Sequence, residues 1–193
     1  MRWKRWEIAL AASILAAILF CAFPAQAQSA LADKLVRLHV LANSDSEEDQ
    51  ALKLQVRDAV LEASAGAAVL DDALLARLQR EAQRTVWQAG RRYEVRVSRE
   101  NCWFDTRVYE DFSLPAGYYD AVRVVIGAGE GHNWWCVIYP PLCAGACETD
   151  VETLAREAGL SEDEVGLICG EDGYAVRFRL AELWGQLLHW LKG

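Results

Sequence analysis

The chain has 193 residues and carries 28 Asp and Glu against 20 Lys and Arg, a formal net charge of −8. A surface this acidic repels phosphate backbones and anionic headgroups, which excludes nucleic acid and lipid surfaces as main partners. The length suffices for one domain with a real core.

The first element in chain order is a leader. Arg2, Lys4 and Arg5 form a basic start, an apolar stretch runs from Ile8 to Phe23, and Pro24 precedes the small-x-small triplet Ala25-Gln26-Ala27. These are the three parts of a secretory signal peptide, so residues 1–27 are expected to direct export and the working protein to begin near Gln28. A retained anchor is the competing reading. Spanning a bilayer takes roughly 20 apolar residues, and the cleavage triplet favours removal. Without the leader, 17 basic and 27 acidic residues remain, a formal charge of −10.

Val36, Leu38 and Val40 alternate with Arg37 and His39, which predicts a strand over 35–41 with one polar face. Asn43 to Asp49 then reads as a helix start. Ser44 and Glu47, or Asp45 and Glu48, have capping-box spacing, and the acidic first turn suits the helix dipole. Leu52, Val56, Ala59 and Ala63 form the inner stripe of that helix. A second helix is expected from Asp71-Asp72 to about Ala89, with Leu75, Leu78, Ala82 and Val86 inward and Gly90 as its stop.

Tyr93 to Val97 alternates as a half-exposed strand, and Arg99-Glu100-Asn101 reads as a turn into a partner strand from Cys102 to Tyr109. Leu114 to Gly117 reads as a turn and Tyr118 to Ile126 as a further strand. Asn133 to Tyr139 is apolar on both sides, which suggests a central strand. A last strand over 174–178 and a closing helix bearing Leu180, Leu183, Trp184, Leu187, Leu188 and Leu191 complete the expectation. Together these predict a single α+β domain over 28–193, with a mainly antiparallel sheet and packed helices.

No motif supplies a convincing active site. Gly127-Ala128-Gly129-Glu130-Gly131 lacks the following helix that phosphate binding needs, so it reads as a hairpin connection. Asp45 to Asp49 lacks the glycine of a calcium loop, and no Cys-x-x-Cys or Cys-His set has zinc spacing. His132 and Cys136 share a strand face, but about 13 Å separates them, too far for proton transfer. No catalytic residue, metal or cofactor is therefore expected. Five cysteines follow the leader, so at most two bridges form within one chain. Trp134 and Trp135 must face opposite sides of a strand, which leaves open whether one meets a partner or both are buried.

Specificity comes from longer strings. Residues 37–46 (RLHVLANSDS) and 49–58 (DQALKLQVRD), then 114–117 (LPAG), 123–127 (RVVIG), 129–137 (GEGHNWWCV) and 140–143 (PPLC), stand in order and spacing behind an export signal. The chain thereby resembles the stage II sporulation protein R family, over roughly residues 33–143 and more loosely over 174–184. The resemblance implies a signalling protein of endospore-forming bacteria, made in the forespore and exported into the space between the two sporulating compartments. It implies a membrane-embedded aspartic protease of the mother cell as partner, activated to process a sigma-factor precursor. It implies no catalysis by the chain itself and no small-molecule substrate. An exported enzyme acting on cell-wall material is the alternative.

The family pattern brings no catalytic residues, so the partner-facing positions are argued from chemistry. Arg37, His39, Asn43 and Asp45 on one segment, and His132, Asn133, Trp134 and Trp135 on the other, are expected to converge on one recognition surface. The competing reading is that Asn43, Asp45 and Asn133 only cap a helix and a turn. Cys136 and Cys143 both lie in the matching block, with Pro140-Pro141 between them to reverse the chain, and are expected to form a disulfide. Cys147 and Cys169 would form a second, leaving Cys102 free.

Overall fold

The computed structural model describes residues 4, 6, 10, 13, 30–67, 70–109, 112–140, 142 and 151–169. Most of the leader, Cys143, Cys147, the stretch 174–178 and everything from 180 onward lie outside the described residues. In chain order the elements are β1 (Val36–Leu41), α1 (Glu47–Ser64), α2 (Asp72–Gln88), β2 (Val95–Phe104), β3 (Arg107–Val108), β4 (Ser113–Leu114), β5 (Gly117–Ile126), β6 (Asn133–Tyr139), α3 (Val151–Glu157) and α4 (Glu162–Cys169). They form two compact units, one within 35–102 and 118–159, the other within 1–34, 103–117 and 160–193.

The first unit is built on a four-stranded sheet of order β2-β5-β1-β6, in which β1 runs parallel to β5 and antiparallel to β6. The fold class is α+β with a mixed, mainly antiparallel sheet, as the sequence pattern predicts. One sheet face carries Leu38, Val40, Val122, Val124, Ile126, Cys136, Ile138 and Val95, packed against Leu52, Val56 and Val60 of α1 and Leu78, Ala82 and Val86 of α2. On α1 the buried position is Val60, whereas Ala59 and Ala63 are half-buried; the larger side chain takes the inward site because it removes more apolar area from water. Leu38 sits at the centre of this layer with no exposed surface. Leu38→Ala should lower unfolding free energy by about 3 kcal/mol in denaturant titration, through lost transfer energy and an unfilled cavity.

Local signals set the helix ends. Ser46, not Ser44 or Asp45, is the N-cap of α1, its side chain accepting the Asp49 N–H at 3.2 Å. The side chains of Ser44 and Asp45 are engaged elsewhere, as described below. Asp71 caps α2 by accepting the Leu74 N–H at 2.8 Å, and Gly90 at φ +73° follows its last turn.

Three expectations about the sheet are corrected. Residues 99–101 do not turn; β2 is one extended strand of ten residues. Cross-strand ion pairs, Arg99 with Asp120 and Glu100 with Arg123 at 3.6 Å, satisfy these polar side chains in the extended form. Next, β6 is an edge strand among the described residues, and β1 and β5 are the interior ones. Apolar residues on both sides report cover over both faces and carry no information about lateral neighbours. Finally, 127–132 is not a hairpin. Because β1 lies between β5 and β6, this segment crosses over the end of β1.

In the second unit, β3 and β4 form a two-residue antiparallel ladder, and the Tyr109 and Phe112 rings stack at 4.4 Å between centroids. Ser161 and Glu164 form a capping box at the start of α4, Ser161 Oγ accepting the Glu164 N–H at 3.3 Å and Glu164 accepting the Ser161 N–H at 2.6 Å. Burial pushes the Glu164 carboxyl up, but the Lys34 ammonium at 2.6 Å and the Ser161 bonds outweigh it and hold it below its ordinary value. Among the described residues no helix is long and apolar enough to cross a membrane.

Candidate functional site

The crossing of 127–132 over the end of β1 creates a densely bonded polar junction. Beyond the last register pair of β1 and β6, Leu41 with Asn133, the backbones stay together. Gly131 donates its N–H to the Ala42 carbonyl at 3.0 Å, and Glu130 donates to the Asn43 carbonyl at 3.2 Å. Such an approach leaves no room for side chains. A Cβ on Gly131 would lie 2.2 Å from the Ser44 carbonyl oxygen, and one on Gly127 (φ +59°) would lie 2.3 Å from Asn43 Oδ1.

Side chains complete the junction. Asn43 Oδ1 accepts the Ala128 N–H at 3.0 Å, while its Nδ2 donates to Asp49 at 2.8 Å. Ser44 Oγ donates to the same Asp49 oxygen at 2.6 Å. Asp49 is buried, which by itself would raise its pKa; the bonds from Ser44, Asn43 and Tyr93 outweigh burial and leave it lowered. Lys53, also buried, donates to the His132 carbonyl at 3.0 Å and to Gln50 at 2.6 Å, and desolvation lowers its pKa. A carboxylate and an ammonium on the first turns of α1 thus pin both loops from beneath.

At the surface, Asp45 Oδ1 accepts the His132 backbone N–H at 2.6 Å and also bonds the His132 imidazole Nδ1. Both contacts, the backbone one first, lower the Asp45 pKa. The pair is open to solvent, with 78% of the His132 and 54% of the Asp45 side chain exposed. Glu47 and Glu130 are exposed as well, and Glu48 is exposed but paired with Arg91 at 3.4 Å, which leaves the surroundings acidic on balance.

The two segments predicted to converge are therefore joined, with Asn43, Asp45, His132 and Asn133 at one junction. Arg37 and His39 are placed differently from the expectation. Both are buried, so they lie beneath the surface and not on it. Arg37 donates to the Cys136 carbonyl at 3.2 Å and lies 5.1 Å from the Tyr119 ring centroid. His39 stacks on Trp135 at 3.8 Å, with the Asn133 side chain bonded to its ring and Nε2 lacking a partner among the described residues. The alternation of β1 suggests a polar face because period two reports side, not cover. Trp134 and Trp135 are both half-buried on opposite faces. Trp134 packs on the helix-side core with the Arg57 guanidinium 4.4 Å from its ring centroid.

Asn43 joins the two loops and caps no N–H of α1: its Oδ1 accepts from Ala128 and its Nδ2 donates to Asp49, while Ser46 is the cap. Sequence reasoning misses Ser44, Asp49, Lys53 and the glycines at 127 and 131 as site residues. The glycine spacing is the available signal, since a rigid crossing needs close backbone approach. Catalysis between His132 and Cys136 finds no support: Cys136 pairs in register with Leu38 in the helix-side core, its Sγ 3.6 Å from the Val137 carbonyl, while the imidazole faces solvent. The predicted Cys136–Cys143 and Cys147–Cys169 bridges each involve a residue outside the described ones. Cys102 is a half-buried free thiol whose pKa burial pushes up, with the Glu100 charge adding to it. Among the described residues no group of three His, Cys, Asp or Glu side chains is arranged to hold a metal ion.

Comparison with known proteins bears on the family and not on the architecture. No solved structure matches the chain. A curated protein of Bacillus subtilis (strain 168) named stage II sporulation protein R is 35% identical over 182 residues, covering 78% of this chain and 80% of that protein. The family model for stage II sporulation protein R matches residues 32–149, which include both loops of the junction and all of the four-stranded sheet. The chain therefore belongs to the stage II sporulation protein R family.

Proposed function

We propose that this protein is an exported signal of endospore formation that acts by contact and not by catalysis. Made in the forespore, it is carried by its leader into the space between the two compartments. There it activates a membrane-embedded aspartic protease of the mother cell, which then processes a sigma-factor precursor. Membership of the sporulation family supports the setting, and the leader pattern supports export. The observation that carries the reading is the junction itself. Two segments far apart in sequence are locked into one rigid, solvent-exposed acidic surface headed by Asp45 and His132. Preorganised surface of this kind is what recognition requires, because little ordering entropy is lost on binding.

Co-expression of this protein, the protease and the precursor in a vegetative cell tests the reading, with precursor cleavage as readout. Cleavage should require all three, and a version lacking residues 1–27 should fold yet give no cleavage, because it stays on the inner side of the membrane. Asp45→Ala and His132→Ala, separately and together, should reduce cleavage at least tenfold while lowering the melting temperature by only a few degrees, since the Gly131 and Glu130 backbone bonds and the Asn43–Asp49 and Lys53–His132 bonds still hold the junction. Full activation by the folded, exported double variant would remove the junction as the contact surface.

A further inference from the structure

The outer edge of the sheet at β2 carries an unusual set of bonds. Gln83 on α2 donates its amide to the Tyr93 carbonyl at 2.9 Å and accepts the Val95 N–H at 2.9 Å. One helical turn earlier, Gln79 donates to the Val95 carbonyl and accepts the Val97 N–H at 2.7 Å. Each carboxamide thus bridges the carbonyl of one residue and the N–H of the residue two further on. A neighbouring parallel strand makes the same pair of bonds with each of its alternate residues. Two positions four apart on a helix are separated by about 6 Å along its axis. Two residues of a strand advance about 6.6 Å. The match in repeat lets two glutamines on one helix face stand in for two successive peptide groups of a missing strand.

We infer that Gln79 and Gln83 are an edge guard, closing this side of the sheet to strand addition by a second copy of the chain. An unpaired edge is a template for edge-to-edge association, and β2 is long, with its residues 98, 99 and 101 exposed. β2 is the outermost strand on its side among the described residues. The guard occupies the outward N–H groups of Val95 and Val97 and the outward carbonyls of Tyr93 and Val95, so a second β2 cannot pair along that stretch of the edge. Glutamine suits this role because its amide is both donor and acceptor, so one side chain satisfies both backbone groups without adding charge. Isosteric Glu cannot do so, since a carboxylate has no donor for the carbonyl.

The test compares wild-type protein with Gln79→Ala/Gln83→Ala and Gln79→Glu/Gln83→Glu, using light-scattering mass across a concentration series and amide hydrogen exchange. The Ala pair should show exchange at Val95 and Val97 about tenfold or more faster than wild type, with β1 amides still protected, whereas the Glu pair keeps an acceptor for each of those amides and should exchange more slowly than the Ala pair. The mass of the Ala pair should rise with concentration above that of wild type and of the Glu pair, whose like charges repel a second edge, and adding Arg99→Pro to the Ala pair, which removes an outward donor further along the same edge, should return it to the wild-type value. Val86→Ala, a core substitution on the same helix, serves as the control for lost stability. A folded Ala pair with wild-type mass at every concentration overturns the inference, as does equal association by Val86→Ala or association that ignores Arg99→Pro. Should the Ala pair not fold, Gln83→Ala alone, which frees only one carboxamide's bonds, is judged by the same mass and proline criteria.

Discussion

Gly131→Ala should be among the most damaging single-methyl additions in the first unit, lowering unfolding free energy by about 2–3 kcal/mol and abolishing activation. The new Cβ would lie 2.2 Å from the Ser44 carbonyl oxygen, 2.5 Å from the Ser44 carbonyl carbon and 2.9 Å from Ala42 Cβ. The first two are backbone atoms, and they cannot step aside as a flexible side chain would. Relief requires the two loops to part, which breaks the bonds from Gly131 to Ala42 and from Glu130 to Asn43 and carries His132 away from Asp45. Gly90→Ala is the comparison. Gly90 has open space around its missing Cβ and only a left-handed backbone, at φ +73°, so its loss should be confined to about 1 kcal/mol of conformational strain. Chemical denaturation of the two variants, with precursor cleavage measured alongside, separates close approach from backbone strain. Equal stability losses would show that the crossing is less tight than the geometry states.

Stability should also fall as pH drops from about 6.5 to about 4, through His39. Burial lowers the His39 pKa from 6.5 to about 4, the Asn133 side-chain bond partly opposing this and the Arg123 charge adding to it. Arg123 is the register partner of His39 on β5, and Trp135 is stacked on its ring. The folded-state pKa lies below the unfolded value, so between the two pKa values the unfolded chain binds more protons. Stability therefore rises with pH through this window, is complete above about 6.5, and is lost as pH falls toward 4. The most that His39 can contribute is about 3 kcal/mol, since each tenfold change in proton affinity corresponds to about 1.4 kcal/mol. Urea titrations from pH 4 to 7 should show the slope in wild type and a flatter one in His39→Gln, which keeps a polar side chain but cannot titrate. The same slope in both would assign the acid sensitivity to other groups.

Gly131 and His39 show how unevenly the sequence speaks. The helices are legible because their information is local. Asp71 and Gly90 mark the ends of α2, and Leu78, Ala82 and Val86 recur at helical spacing, so neighbours within a turn suffice to define them. The sheet is legible only strand by strand. Alternation locates β1 and β5, but strand order depends on contacts between residues about a hundred positions apart, such as Leu38 with Cys136. No local pattern encodes that order, and the crossover at 127–132 reads as a hairpin for this reason. Arg99 to Asn101 looks like a turn because polar runs often are, until Asp120 and Arg123 on the neighbouring strand supply partners.

By itself the sequence determined the acidic balance, the leader pattern, the family and the strings that belong together, Asn43 to Asp45 and Gly129 to Trp135. Composition, short-range spacing and long matching strings are properties of the chain in one dimension. Only the tertiary structure decided that β1 lies between β5 and β6, and everything at the junction follows from that order. It sends the glycine segment across the end of β1, sets His132 against Asp45 at the surface, and sinks Arg37 and His39 out of solvent. The physical reason is that burial and close approach are set by what folds over a residue, and a residue's own neighbours in sequence do not carry that information.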